Sequence, residues 1–202
     1  MPYLNKGDGS LFSYCFVPLS KAKGTIIKMN KTGKKDMNNL LKIAVITVSD
    51  KGYRGQREDR GGKYIVDYFK QKGWKVSEYC IVPDEKDIIR NKLMEICDEN
   101  IASLIITTGG TGFSPRDITP EATREVLDRE APGFSELIRM EGQKKTPRAI
   151  LSRGVSGIRK STLIINLPGS IKGVKDSLEL IYRPLPHGID ILTGRDSECG
   201  SE

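Results

Sequence analysis

Short apolar runs rich in β-branched residues recur along the chain from residue 41 onward. The clearest, residues 42–48, is uninterrupted, as is typical of a parallel strand covered on both faces. Residues 102–107 form a second buried run of the same kind. With two further runs, the pattern predicts strands at residues 42–48, 75–82, 102–107 and 162–166.

Between these runs, apolar side chains recur at the spacing of an amphipathic helix. Thr119 is expected to cap one of the helices with its hydroxyl, with Pro120 at the first helical position. Ser170 is expected to cap the last helix, and residues 50–62 read as a long polar loop. The predicted helices cover residues 63–72, 87–99, 119–129, about 134–141, and a segment that begins after Ser170.

Strands that alternate with helices predict an α/β domain, a three-layer sandwich with a mostly parallel central sheet. The aromatic residues Tyr64, Tyr68, Phe69 and Trp74 are expected in its core. Three segments follow from the pattern. Residues 1–40 are a basic extension expected to be poorly ordered, residues 41–194 form the domain, and residues 195–202 are a tail. Whether the natural start is Met1 or Met37 stays open.

The composition of the chain argues against several kinds of metal site and against a disulfide-rich fold. The chain has 202 residues, enough for one main domain. Its four cysteines never form C-x-x-C, which argues against a zinc site or a disulfide framework. Its single histidine, His187, leaves no basis for a His-rich metal site, and we expect a packing role for it.

The net charge of +7 is concentrated at the N-terminus, where seven Lys and two Asp within residues 1–40 give +5. The remaining +2 is too weak to indicate a nucleic-acid surface. No run approaches the roughly 18 apolar residues of a membrane helix, and no secretory signal is recognisable. The sequence therefore predicts a cytoplasmic protein that binds neither nucleic acid nor membrane.

Candidate chemistry follows the predicted strands, at Ser49-Asp50, Pro83-Asp84, Gly109 to Gly112 and Pro168-Gly169. Ligands of parallel sheets bind beyond the carboxyl ends of the strands, so these loops should meet at one edge. Residues 109–112 can form an anion-binding nest of backbone N–H groups, with hydroxyls from Thr108 and Thr111. A tight turn is the alternative, because neither a P-loop nor a dinucleotide fingerprint is present.

Two carboxylates, Asp84 and Asp117, are predicted to face the same phosphates from neighbouring strands. Mg²⁺ is typically bound by one or two carboxylates together with phosphate oxygens, so the pair is a candidate magnesium site. The alternatives are a turn or cap role for Asp117 and a helix-start role for Asp84.

Three blocks resemble the MogA/MoaB family of molybdenum cofactor biosynthesis, the molybdopterin adenylyltransferases. The most specific is TTGGTGFSPRDITPEAT at residues 107–123. PRAILSRGVSGIRKSTLIINLPG at residues 147–169 resembles the family's second signature, and IAVITVSDKG at residues 43–52 its opening strand and loop. The likeness covers roughly residues 41–193 without interruption.

The resemblance implies a molybdopterin-binding-like fold and adenylyl transfer from Mg-ATP to molybdopterin with release of pyrophosphate. Asp84 and Asp117 would be the essential acidic residues acting on Mg²⁺ and phosphate. It further implies a homotrimer and a possible molybdotransferase partner. The residues implied to bind the substrates are Gly109, Gly110, Thr111 and Gly112 at the nucleotide phosphates, Ser152, Arg153, Asn166 and Ser170 near the pterin or its phosphate, and Ser49 and Asp50 in the same cleft.

Several of these roles have structural alternatives. Ser170 is also a good helix cap, and the Asn166 amide could satisfy backbone groups at a strand end. Arg116, Arg153 and Arg159 could supply positive charge to anionic substrates or be solvated surface. At the level of function, the alternatives are a non-catalytic molybdopterin-binding or scaffolding module, or a molybdotransferase, for whose additional domains the chain has no room.

Overall fold

A six-stranded sheet forms the centre of the computed structural model, which describes residues 41–195. The expectations for residues 1–40 and for the tail from residue 196 lie outside the described residues. The strand order is β2-β1-β3-β6-β5-β4, in which β5 is antiparallel to both of its neighbours, β4 and β6, and the other neighbouring pairs are parallel. The strands are β1 (Lys42–Val48), β2 (Lys75–Val82), β3 (Leu104–Thr108), β4 (Arg129–Glu130), β5 (Ser156–Arg159) and β6 (Thr162–Leu167).

Between residues 41 and 195, seven α-helices connect or flank these strands, and a short 3-10 helix covers Pro147–Leu151. The predicted cap at Ser170 is confirmed, since its hydroxyl oxygen accepts a hydrogen bond from the Gly173 amide at 3.1 Å. The helices are α1 (Asp50–Tyr53), α2 (Arg60–Gln71), α3 (Lys86–Asp98), α4 (Thr119–Arg124), α5 (Gly133–Lys145), α6 (Ile171–Ile181) and α7 (Leu185–Leu192).

The helix predicted at residues 119–129 begins at Thr119, but its predicted end and its predicted cap are wrong. It ends at Arg124, because the chain then turns to form β4 and Asp128 N–H donates to Ile158 O at 2.9 Å. At its start, Thr119 is the first helical residue and not the cap, since its hydroxyl donates to Gly109 O at 2.9 Å. The predicted loop at residues 50–62 also contains a short helix, α1, whose cap Ser49 accepts from the Gly52 amide.

Apolar side chains cover both faces of the sheet, so the predicted three-layer sandwich is confirmed. Ile43 and Val45 of β1 point into a core shared with α2, α5, α6 and α7, whereas Ala44 and Ile46 point into a second core beneath α3 and α4. The expected aromatic core is confirmed as well. Phe69 is fully buried, and its ring lies 5.0 Å from that of Trp74, with Tyr64 and Tyr68 packed around them.

Strands β1, β2, β3 and β6 run parallel, so their carboxyl ends share one edge of the sheet. The four loops that carry the candidate chemistry follow these strands and therefore meet there, as predicted. None of the helices between residues 41 and 195 is long and apolar enough to cross a membrane.

Candidate active site

The turn after β3 depends on two glycines with positive φ, Gly109 at +100° and Gly110 at +61°. A Cβ on Gly109 would overlap the carbonyl oxygen of Val48, so the turn packs directly against the end of β1. Within residues 41–195, the main-chain N–H groups of Gly110, Thr111 and Gly112 have no hydrogen-bond acceptor. Three consecutive unpaired donors are the feature that binds an anion in a backbone nest.

Thr108 and Thr111, whose hydroxyls were predicted to assist phosphate binding, line the first and the second of the two cavities described below. Thr108 is buried and its hydroxyl donates to Pro168 O at 2.8 Å, so it joins the β3 turn to the β6 turn. Gly169 of the β6 turn approaches closely enough that its Cβ would lie 3.1 Å from the Cα of Gly109. Thr111 is also buried, and its carbonyl accepts the Arg153 amide at 2.9 Å. The two glycine turns are thus held together by the Thr108 hydroxyl and by the close packing of Gly109 against Gly169.

Asp84, just beyond β2, is linked to the end of β1. Its carboxylate accepts the Asp50 amide at 2.7 Å, while the Asp50 carboxylate accepts the Asp84 amide at 3.1 Å. Burial raises the pKa of the Asp84 carboxyl above its usual range, the Asp50 amide opposes this, and the charges of Asp50 and Asp117 raise it further. The ionised Asp84 is therefore a group that a cation would stabilise.

Asp117 closes the loop that follows the glycine turn. Its carboxylate accepts the Ser114 amide at 3.0 Å, and its own amide donates to Ser114 O at 2.8 Å. A Cβ on Gly112 would lie 2.8 Å from the Asp117 carboxylate, which places that carboxylate against the nest. The turn role considered for Asp117 is therefore present together with a position at the candidate anion site.

Two cavities open beside the glycine turns. The first chamber, of ≈ 560 Å³, lies toward β1 and β2, and the second chamber, of ≈ 420 Å³, lies toward α5 and α6. Gly110, Asp117, Gly169 and Ser170 line both chambers and form a shared wall. The first chamber is also lined by Ser49, Arg57, Asp59, Arg60, Asp84 and Gly109, and the second by Thr111, Gly112, Arg148, Leu151, Ser152 and Lys172.

The donor set suits Mg²⁺ better than a metal held entirely by protein. Among residues 41–195 there is no group of three or more His, Cys, Asp or Glu side chains that could hold a metal ion. Asp84 and Asp117 both line the first chamber, and each carboxylate lies against a glycine of the nest. Two carboxylates beside an anion site match the common Mg²⁺ arrangement, in which phosphate oxygens and water complete the coordination.

Three predicted site residues lie outside the lining of both chambers. The Asp50 carboxylate is bound by the Arg116 guanidinium through contacts of 3.0 to 3.2 Å. Asn166 is buried, and its amide group donates to the hydroxyls of Thr107 and Thr123 and accepts the Val155 amide, which fits the structural alternative. The third residue, Arg153, binds the glycine loop and Glu121 instead.

Two other candidates lie away from the chambers. Arg159 pairs with Asp98, at the end of α3 and hence at the opposite edge of the sheet, and holds the pKa of that carboxyl at about 2. Arg159 therefore does not supply positive charge to the cleft. His187 is exposed within α7, so the packing role expected for it is wrong.

The basic side chains that line the chambers were not predicted from the sequence. Arg57 and Arg60 lie on the first chamber, and Arg148 and Lys172 on the second, all exposed. Arg57, Arg60 and Lys172 lie in or near loops that follow strands, whereas Arg148 lies in the 3-10 helix after α5, within the block at residues 147–169. Asp59 was also missed. It caps α2 and accepts hydrogen bonds from the hydroxyls of Thr47 and Tyr79 at 2.6 and 2.7 Å.

Comparison with known proteins shows which family this chain resembles. Residues 44–187 match the family described as a probable molybdopterin binding domain. The molybdopterin adenylyltransferase of Helicobacter pylori is 44% identical over 154 residues, which span 75% of this chain and 88% of the relative. The Escherichia coli molybdopterin adenylyltransferase is 38% identical over 184 residues, 81% of this chain and 91% of the relative.

The chain belongs to the MogA/MoaB family of molybdopterin adenylyltransferases. Among solved structures, the molybdopterin biosynthesis enzyme MoaB from Thermus thermophilus superimposes with a TM-score of 0.73 at 48% identity. That alignment covers 79% of this chain and all of the Thermus chain. The family and the fold implied by the three sequence blocks are confirmed, and this MogA/MoaB protein is an enzyme of molybdenum cofactor biosynthesis.

Proposed function

We propose that the protein transfers the adenylyl group of ATP to the terminal phosphate of molybdopterin. The observation that carries this proposal is the pair of chambers with one shared wall. A two-substrate transfer requires the attacking oxygen and the α-phosphate to meet, and binding both in fixed orientation removes much of the entropic barrier. Each chamber accommodates one substrate, and their phosphates meet at the wall formed by Gly110, Asp117, Gly169 and Ser170.

The shared wall offers donors from two turns. Gly110, Thr111 and Gly112 of the β3 turn, whose N–H groups are unpaired, line the second chamber together with Ser170, which caps α6. Backbone N–H groups and a helix N-terminus both favour negative charge, and here they are fixed before the substrates bind. Such preorganised donors stabilise charge that develops on the transferring phosphoryl group.

The reaction balances without a protein nucleophile. An oxygen of the molybdopterin phosphate forms a bond to the α-phosphorus of ATP, the bond from that phosphorus to the bridging oxygen breaks, and pyrophosphate leaves with the electron pair. A phosphate monoester is largely ionised at neutral pH, so no side chain has to remove a proton. Mg²⁺, held by Asp84 and Asp117, would neutralise charge on the phosphate oxygens.

The family relationship supports three further parts of the proposal. The enzyme works as a homotrimer, resides in the cytoplasm and passes its product to a molybdotransferase. Sedimentation analysis of the full chain tests the first part, because a monomer at working concentration would contradict it.

The direct test is pyrophosphate release from Mg-ATP with and without molybdopterin. We expect release to require molybdopterin and to collapse in Asp117→Asn, which keeps the shape of the side chain and removes its charge. Asp98→Asn is the matched control, because that carboxylate lies at the opposite edge of the sheet. A wild-type protein that binds molybdopterin but releases no pyrophosphate would establish the non-catalytic binding module instead.

A further inference from the structure

Arg153 contacts both ends of the loop formed by residues 112–117. Its Nε donates to Gly112 O at 2.6 Å and one terminal nitrogen donates to Asp117 O at 2.5 Å. The other terminal nitrogen is paired with Glu121 of α4, and the Arg153 amide donates to Thr111 O. The single side chain therefore connects the glycine turn, the Asp117 turn and the first turn of α4.

These contacts leave the guanidinium directed at protein groups and not at a ligand. All three of its nitrogens are engaged with carbonyl or carboxylate oxygens. Arg153 lines neither chamber, whereas its neighbour Ser152 lines the second. The side chain is also about two-thirds buried, with 32% exposure, so it is not a freely solvated surface charge.

We infer that Arg153 is a positioning residue that holds loop 112–117 in the conformation that presents the Asp117 carboxylate to the shared wall. The inference rests on the proposed function for its catalytic consequence, but the loop contact itself does not. A planar guanidinium can hold three acceptors in a fixed arrangement, whereas a lysine ammonium on a flexible stem cannot reproduce that fork. Charge alone at position 153 is therefore insufficient.

The test compares Arg153→Lys and Arg153→Gln with Arg159→Lys. Arg159 is a matched control, because it also binds a carboxylate and a main-chain carbonyl, those of Asp98 and Val126, at the opposite edge of the sheet. The first readout is amide hydrogen exchange of Ser114 and Asp117 in the substrate-free protein. We expect both amides to exchange faster in the two Arg153 variants and at the wild-type rate in Arg159→Lys.

The second readout is catalysis. Because partners that orient metal ligands typically affect metal affinity or activity by about 10- to 100-fold, we expect kcat to fall by that factor in Arg153→Lys. The Mg²⁺ concentration for half-maximal rate should rise, while KM for molybdopterin changes less than twofold. If either Arg153 variant misfolds by circular dichroism, Glu121→Gln removes one charged contact of Arg153 and should accelerate the same two amides.

Unchanged exchange at Ser114 and Asp117, combined with a large rise in KM for molybdopterin alone, would overturn the inference and make Arg153 a substrate ligand. A failure of the proposed function would give a different experimental result. In that case the wild type releases no pyrophosphate, while hydrogen exchange still reports whether Arg153 holds the loop.

Discussion

Asp50 and Asp84 each accept a hydrogen bond from the other's main-chain amide, with N to O distances of 2.7 and 3.1 Å. This reciprocal pair joins the carboxyl ends of β1 and β2 and fixes one of the two carboxylates that we propose to hold Mg²⁺. The Asp84 carboxyl is held in place where its ionised form is disfavoured, since burial and neighbouring charges raise its pKa.

The raised pKa of Asp84 leads to opposite expectations for stability and activity. A carboxyl with a higher pKa in the folded state destabilises the fold as pH rises from its unfolded-state pKa through its folded-state pKa. Asparagine keeps an acceptor oxygen for the Asp50 amide and carries no charge. We expect Asp84→Asn to unfold in urea at pH 8 with an unchanged or higher free energy and to lose pyrophosphate release.

The raised pKa of the Asp84 carboxyl also predicts how the reaction rate falls toward acid pH. At subsaturating Mg²⁺, wild-type activity should fall at a pH above that of an ordinary aspartate. Asp98→Asn should show the same profile as the wild type. A markedly less stable but active Asp84→Asn would contradict both expectations.

The Gly109 turn should tolerate no side chain. We expect Gly109→Ala to lower the free energy of unfolding by about 3 kcal/mol or more, because a positive φ and a clash with Val48 O act together. Gly73→Ala is the matched control, since Gly73 has φ +81° and open space around its Cβ. That control should lose only about 1–2 kcal/mol. Equal losses in urea denaturation would show that the clash is relieved by movement.

Alanine substitutions of Asn166 and Ser152 should distinguish a residue that stabilises the fold from one that binds substrate. We expect Asn166→Ala to lose at least about 2 kcal/mol of unfolding free energy, because it leaves three buried groups without their partner. Its KM values should remain close to those of the wild type. Ser152→Ala should stay within about 0.5 kcal/mol in stability and should raise the KM of the substrate in the second chamber. The reverse pattern would restore Asn166 as a substrate contact.

Arg60 and Arg148 test the assignment of one substrate to each chamber. Both are exposed, and each lines only one chamber. We expect Arg60→Met and Arg148→Met each to raise the KM of a different substrate, with an effect that diminishes at high salt. Lys70→Met, an exposed charge on α2, should change neither KM. If both arginine variants raise the KM of the same substrate, the two-chamber assignment fails.

The parts of the fold that sequence predicts are those with a local signal. Strands β1 and β2 were predicted at both ends because their β-branched or alternating runs are bounded by polar residues. Strand β4 is two exposed residues with no period, and β5 contains Gly157, which packs under Leu127, so neither has a local pattern. Strand β5 depends on pairing with β6 and β4 depends on pairing with β5, so both form only in the context of the whole sheet.

In the candidate site, too, the residues that could be predicted are those with a local sequence signal. Asp84 and Asp117 could be placed near one another because they follow strands whose ends meet at one edge. The partners of Arg153 lie 32 to 41 residues away along the chain, so the three acceptors it holds depend on tertiary geometry alone. The two readings of Asn166 could not be separated from sequence for the same reason, because an amide near a strand end has the same local sequence signal whether it faces a cleft or a buried threonine pair.

The contact between the two glycine turns limits how this site can vary. Where Gly109 meets Gly169 the surface is main chain, so no side chain exists there to be exchanged for another. Substitutions around the rims of the two chambers can change which molecules enter without altering this main-chain contact, beside which the proposed function places the phosphates. Selectivity and the chemical step can therefore change independently in this architecture.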